Sequence, residues 1–279
     1  MTRCLSTLLI ALWLPCTAAR AAPLDPACAP ARAGVSDLGY SSYLDGTVIR
    51  GSNIDVLAEI QRRSGCQINV RWYPRSRQQA LFFSNELEMT GASLRTAERD
   101  RYGVWLPYTW TRFELVLLGA DAGKFHSLAE FVDHSTARLN ITRGIFYTAD
   151  AQRQLDRLQQ QGRLEYVSDF GVVFRKIQAG RAEGTLAPAT IYLLNQRLFG
   201  LTARMSATSV SESPRMMVGL YVSKQVPPKI LQRYTDALRS IVVDGTMQKF
   251  YERYLGADIT HRLVDNGTRE LLNALPPPH

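Results

Sequence analysis

The sequence predicts an α/β protein of two lobes, each a mainly parallel sheet flanked by helices, with two hinge strands joining them. Three observations lead there. Apolar strand-like runs alternate with amphipathic helical stretches through most of the chain, the pattern of parallel sheets covered by helices. A compact apolar run at Glu114 to Leu118 ends in the loop-like segment Gly119 to Gly123, which marks a crossing out of the first lobe. A similar run at Met216 to Val222 stands beyond a second series of elements and marks the return. The boundaries that follow are 1–21 for a leader, 22–117 with 218–260 for the first lobe, 118–217 for the second, and 261–279 for a C-terminal tail.

The leader has the order of an export signal: Arg3, then the apolar run Leu5 to Leu14, then the small-x-small site Ala19-Arg20-Ala21. That run is about half the length a membrane-spanning helix needs. The mature chain is expected to begin near Ala22, outside the inner membrane, in the periplasm. Cys16, beside Pro15, leaves with the leader, as does Cys4, so Cys28 and Cys66 remain. Two cysteines in an oxidising compartment suggest one disulfide.

The elements follow in order. Val35 to Tyr40 reads as the first strand. Gly51 to Ser64 is a helix with the stripe Ile54, Leu57, Ala58 and Ile60, stopped by Gly65. Gln67 to Tyr73 alternates Ile68, Val70 and Trp72 as a strand. If the two strands are parallel neighbours, Cys28 and Cys66 fall at one sheet edge, a second reason to expect their pairing. Arg75 to Asn85 is a helix, Glu88 to Ser93 a strand and Ala97 to Tyr102 a helical turn, after which Pro107 breaks the chain. The second series runs through the helix Leu128 to Val132, the strand Ala137 to Ile141 and the loop Thr142-Arg143-Gly144. It continues with the helix Ala149 to Gln161, the strand Leu164 to Val167, and a helix capped by Asp169 that buries Val173, Phe174 and Ile177. Thr185 to Ala187 is a strand and Thr190 to Phe199 a helix. Pro228 to Val243 and Thr246 to Leu255 are helices, the first opened by a proline suited to an initial turn.

Composition narrows the function by exclusion. The chain carries 33 Lys and Arg against 25 Asp and Glu; without Arg3 and Arg20 the net charge is about +6, a weak bias toward anionic ligands. The basic residues are scattered among acids, with no nucleic-acid-binding motif. The histidines show no metal spacing with each other or with the remaining cysteines. Walker, nucleophile-elbow and dinucleotide motifs are absent, and no cofactor is implied.

One segment is more specific: Gly91-Ala92-Ser93-Leu94-Arg95-Thr96-Ala97-Glu98-Arg99, followed by Trp105-Leu106-Pro107-Tyr108. With the Gly51 to Gly65 helix, the Thr96-x-x-Arg99 turn, Gly180-Arg181-Ala182-Glu183 and the Gly245 to Leu255 helix, it resembles the extracellular solute-binding protein family 3. Those are polar amino-acid binders with the type II periplasmic-binding-protein fold. The resemblance spans roughly Val35 to Leu255. It implies a monomer that closes by a hinge motion on a small polar, anionic or zwitterionic solute and delivers it to an ABC-type permease. It also implies that Arg99 clamps a carboxylate, for which a guanidinium is suited as a planar fork of donors. The competing role for Arg99 is an ion pair with Glu98 or Asp100. Ser93 stands near the family's hydroxyl position, and Tyr40 and Tyr43 match its stacking rings. Tyr108 is a further aromatic candidate. Arg143 and Gly144 are placed to offer a cation and backbone N–H groups to an anion.

Two positions depart from the family. Leu94 stands where it has a hydroxyl residue five positions before the arginine, and Pro188 where it commonly has an aspartate for the ligand ammonium. The ligand therefore need not be an ordinary α-amino acid. The same fold also serves a dehydratase-like enzyme, for which Glu98, Glu183 and Glu212 are nominal acid or base candidates, and a sensor that acts on a membrane receptor.

Overall fold

The computed structural model describes residue 25 and residues 28–119, 121–264 and 267–277; the leader lies outside them. The first strand, β1 (Ala31–Val35), ends where the predicted Val35 to Tyr40 strand was to begin. Beyond Val35 the backbone turns, because the Asp37 carboxylate accepts the Gly39 N–H at 3.1 Å and Gly39 adopts a φ of 59°. The hairpin β2 (Tyr43–Asp45) and β3 (Val48–Arg50) was not anticipated, although Asp45-Gly46 is a recognised hairpin turn signal. Helix α1 (Ser52–Ser64) buries Val56, Leu57 and Ile60 and ends at Gly65, whose N–H closes on Gln61 O with a φ of 70°. Then follow β4 (Ile68–Trp72), α2 (Arg75–Phe83), β5 (Met89–Ser93), the single turn α3 (Ala97–Asp100) and β6 (Gly103–Thr111).

Pro107 does not break the chain. It lies inside β6, opposite the irregularity between Val218 and Gly219 where the register shifts, a place where a missing N–H is tolerated.

The second series begins with β7 (Phe113–Leu118) and continues through α4 (Leu128–His134), β8 (Leu139–Thr142), α5 (Ala149–Gln160) and β9 (Leu164–Val167). It closes with α6 (Phe170–Gln178), β10 (Gly184–Pro188), α7 (Ala189–Leu198) and β11 (Met205–Ser209). Ser127, Thr148 and Asp169 each accept a backbone N–H at the start of α4, α5 and α6, satisfying donors the helix itself cannot. The chain then returns through β12 (Met216–Ser223) to α8 (Pro228–Val243) and α9 (Thr246–Leu255). The last elements are α10 (Ala257–Val264) and α11 (Thr268–Ala274).

The strands form two five-stranded sheets, ordered β4-β1-β5-β12-β6 and β11-β7-β10-β8-β9. In each, the strands of the βα series pair in parallel and the crossing strands pair antiparallel, so the sheets are mixed. This corrects the outward crossing. Glu114 to Leu118 pairs with β10 and β11 in the second sheet, so the chain passes between sheets at Arg112 rather than after Leu117. The return passes between Ser209 and Met216.

The described residues between 261 and 277 are likewise more than a tail. Helices α10 and α11 pack on the first lobe, where Leu271 and Leu275 join its core, and Arg215 donates to Leu263 O beside the hinge. Cys28 and Cys66 form a disulfide with Cα atoms 5.4 Å apart, tying the segment before β1 to the start of β4. Among the described residues no helix is long and apolar enough to cross a membrane.

Candidate functional site

The two sheets face each other across a cleft, and its walls are built from the segments that follow the carboxyl ends of their parallel strands. Leu38 and Ser41 follow β1, Arg75 follows β4, and Leu94, Thr96 and Arg99 follow β5. Gly144 to Phe146 follow β8 on the other side, and Thr190 and Ile191 follow β10. Ligands of open α/β sheets bind at this edge, because the loops there are free of the ladder and helix N-termini point into the crevice. The cavity between the lobes measures about 140 Å³, close to that of an engineered cavity that takes up benzene.

Arg99 is held on a braced turn. Its N–H donates to Thr96 Oγ1 at 3.2 Å, and the Thr96 N–H donates to the Tyr221 hydroxyl at 3.0 Å. The ion pair that competed for Arg99 does not form. Asp100 is engaged by Arg95 Nε at 2.9 Å and by the Tyr221 hydroxyl at 2.9 Å, while Glu98 is exposed. Arg99 Nη1 donates to the Leu94 carbonyl at 3.1 Å, and among the described residues no carboxylate pairs with its guanidinium. Desolvation in the cleft lowers its pKa from the ordinary arginine value, against the pull of Tyr221 and Glu98.

Arg75 lies in the same cavity and was not singled out from the sequence. It is the first residue of α2, just after Pro74, and its side chain reaches both the cavity and its outer mouth. Burial, with the nearby Arg99 charge adding to it, pushes its pKa down to about 10. An arginine opening a helix immediately after a parallel strand was the available signal, since that position always faces the ligand edge of the sheet.

The other expected site residues divide. Ser93 and Gly144 line the cavity with Arg99, and so do the two departures, Leu94 and Pro188. Leu94 also packs against the apolar core of the second lobe. Arg143 lines the adjoining mouth with Asp37 and Asp169 instead.

The three tyrosines are corrections, because none lines the cavity. Tyr108 is fully buried and its hydroxyl donates to Asn53 Oδ1 at 2.9 Å, inside the first-lobe core. Tyr40 packs against Tyr43 and Tyr254 with ring centroids 5.8 and 5.9 Å away. It ties the lobes together, its N–H donating to Thr190 O at 2.6 Å and its hydroxyl raising the Arg197 pKa through a hydrogen bond. Gly39 makes that contact possible: a Cβ there would stand 2.2 Å from Thr190 O.

The candidate acids of the enzyme alternative also lie elsewhere. Glu183 pairs with Arg138 at 3.0 Å, and Glu212 accepts the Leu128 and Ala129 N–H groups at the start of α4. With Glu98 on the surface, none of the three reaches the cavity. Among the described residues no cluster of His, Cys, Asp and Glu is suited to a metal ion.

A cleft between two such sheets, with paired crossings behind it, decides the architecture. The chain has the fold of the type II periplasmic binding proteins. No protein-family model matches it, and no curated protein does. Among solved structures, an ancestral arginine-binding protein bound to glutamine superposes with a TM-score of 0.64 at 18% identity, covering 81% of this chain and 98% of that one. A putative L-cystine ABC transporter protein from Listeria monocytogenes gives 0.61 at 18% identity, covering 82% and 97%. A histidine kinase sensor domain with similarity to periplasmic binding proteins gives 0.65 at 13% identity, covering 85% and 98%.

Proposed function

We propose that the protein captures a small carboxylate-bearing solute, an amino acid or related organic acid, between its lobes in the periplasm and presents it to an ABC-type permease. The observation that carries this reading is Arg99, a half-buried guanidinium on the interlobe cavity with which no carboxylate among the described residues forms an ion pair. A cation kept desolvated and unpaired is costly, and a ligand carboxylate relieves the cost with short charge-assisted hydrogen bonds. Closure of the lobes then excludes water, so that an analogue lacking the carboxylate leaves buried donors unmade. The arginine-binding and cystine-transporter neighbours support solute capture. The kinase sensor domain favours a second reading in which the same closure signals to a membrane receptor.

The test is calorimetry on the mature protein against amino acids, organic acids and opines, with Arg99→Met beside the wild type. Binding of at least one carboxylate is expected, weakened about 30-fold or more by the substitution, the scale for removing one partner of a buried charge pair. If no carboxylate binds, or Arg99→Met binds as well as the wild type, the proposal is wrong. Co-purification with a permease or with a receptor separates the two readings.

A further inference from the structure

We infer that the ligand is a small dianion, two anionic groups joined by an apolar body, held by Arg75 and Arg99 together, with no ammonium recognised. This rests on the solute-capture reading above and names the class of solute. Both guanidiniums line one cavity, and neither has a carboxylate partner among the described residues. Burial first and the Arg99 charge second lower the Arg75 pKa, and a guanidinium stays charged at neutral pH. Each fork has donors for a bidentate contact, so the pair calls for two sets of acceptor oxygens.

The remaining wall has nothing for a cation. No Asp or Glu among the described residues lines the cavity, and Pro188, which does, has no acceptor in its side chain. The acids of the outer mouth are engaged, Asp37 by the Gly39 N–H at 3.1 Å and Asp169 by the Val172 N–H at 2.8 Å and the Ser168 hydroxyl at 2.7 Å. Apolar surface from Leu94, Trp110, Phe113, Phe146 and Ile191 surrounds the space between. One further group points to a ligand. Ser41 lines the cavity and is 4% exposed, and its buried Oγ has no hydrogen-bond partner among the described residues. Buried hydroxyls are ordinarily satisfied, and an anion oxygen would satisfy this one.

The experiment is calorimetry on the mature protein with matched acids: glutarate against valerate, phthalate against benzoate, and glutamate against glutarate. The expected result is that at least one diacid binds tenfold or more tightly than its monoacid, with glutamate no tighter than glutarate. In Arg75→Met that preference should shrink to about threefold or less, since one of the two charge-assisted contacts is gone. Equal binding of monoacids and diacids by the wild type would overturn the inference and leave solute capture standing. So would glutamate binding more than tenfold tighter than glutarate, because the ammonium would then be recognised. Silence toward every acid would overturn both. The wild-type comparisons decide the matter without relying on any variant.

Discussion

Replacing Arg75 with methionine should make the ligand-free protein more stable, which is unusual for a residue at a binding site. The folded state lowers the Arg75 pKa from the ordinary arginine value to about 10, through burial first and the Arg99 charge second. At about 1.4 kcal/mol per pKa unit, folding with this group charged costs about 3 kcal/mol. The sign follows from proton linkage. The folded state holds the proton less tightly than the unfolded one, so the cost is fully present below pH 10 and is relieved only as pH rises above it toward the ordinary arginine value. Methionine keeps much of the unbranched stem and removes the charge, so roughly 1–3 kcal/mol should be recovered. For a chain of this size each kcal/mol moves Tm by about 2–4 °C. The assay is thermal unfolding of ligand-free mature wild type and Arg75→Met at pH 7.5 in low salt, followed by circular dichroism. Added sodium chloride should narrow the gap, because anions screen the two guanidiniums of the wild type. A natively folded Arg75→Met with an unchanged or lower Tm, or a gap indifferent to salt, would refute the argument that two uncompensated cations share the cavity.

Two further outcomes rest on other parts of the fold. Gly39→Ala should hold the lobes apart, since the added Cβ meets Thr190 O at 2.2 Å; solution scattering should show no ligand-dependent compaction, and affinity should fall about tenfold or more. Compaction equal to that of the wild type would mean that closure does not use this contact. Cys66→Ser should lower unfolding stability by up to about 4 kcal/mol, read by denaturant titration, because the bridge closes a loop across 38 positions and restricts the unfolded chain; an unchanged midpoint would show that the disulfide contributes nothing.

The sequence reading and the structure differ in an orderly way. Helices with a clear apolar stripe and a stop signal were legible to within a residue or two, as in α1, α8 and α9. The short β11 was missed, because Met205 and Ala207 alone give its alternation too little apolar weight, and it is held as a strand by pairing with β7. The position of the crossing was off for a related reason. Glu114 to Leu118 reads as apolar strand wherever it pairs, and local sequence does not say which sheet takes it. The cavity wall shows the same division, with Arg99, singled out through the family resemblance, lining it and Tyr40 placed outside it, because a ring near a cleft can serve the cleft or a contact between the lobes.

By itself the sequence determined the α/β class and the cysteine pair, since these follow from periodicity, residue chemistry and spacing along the chain; the arginine turn was legible through the family resemblance. Only the tertiary structure decided that Asp100 is taken by Arg95, that Arg75 and Arg99 line one cavity, and that among the described residues no acid lines it with them. Charge balance in a cleft is a sum over groups brought together from distant segments, and burial sets the weight of each. Neither quantity exists until the chain has folded.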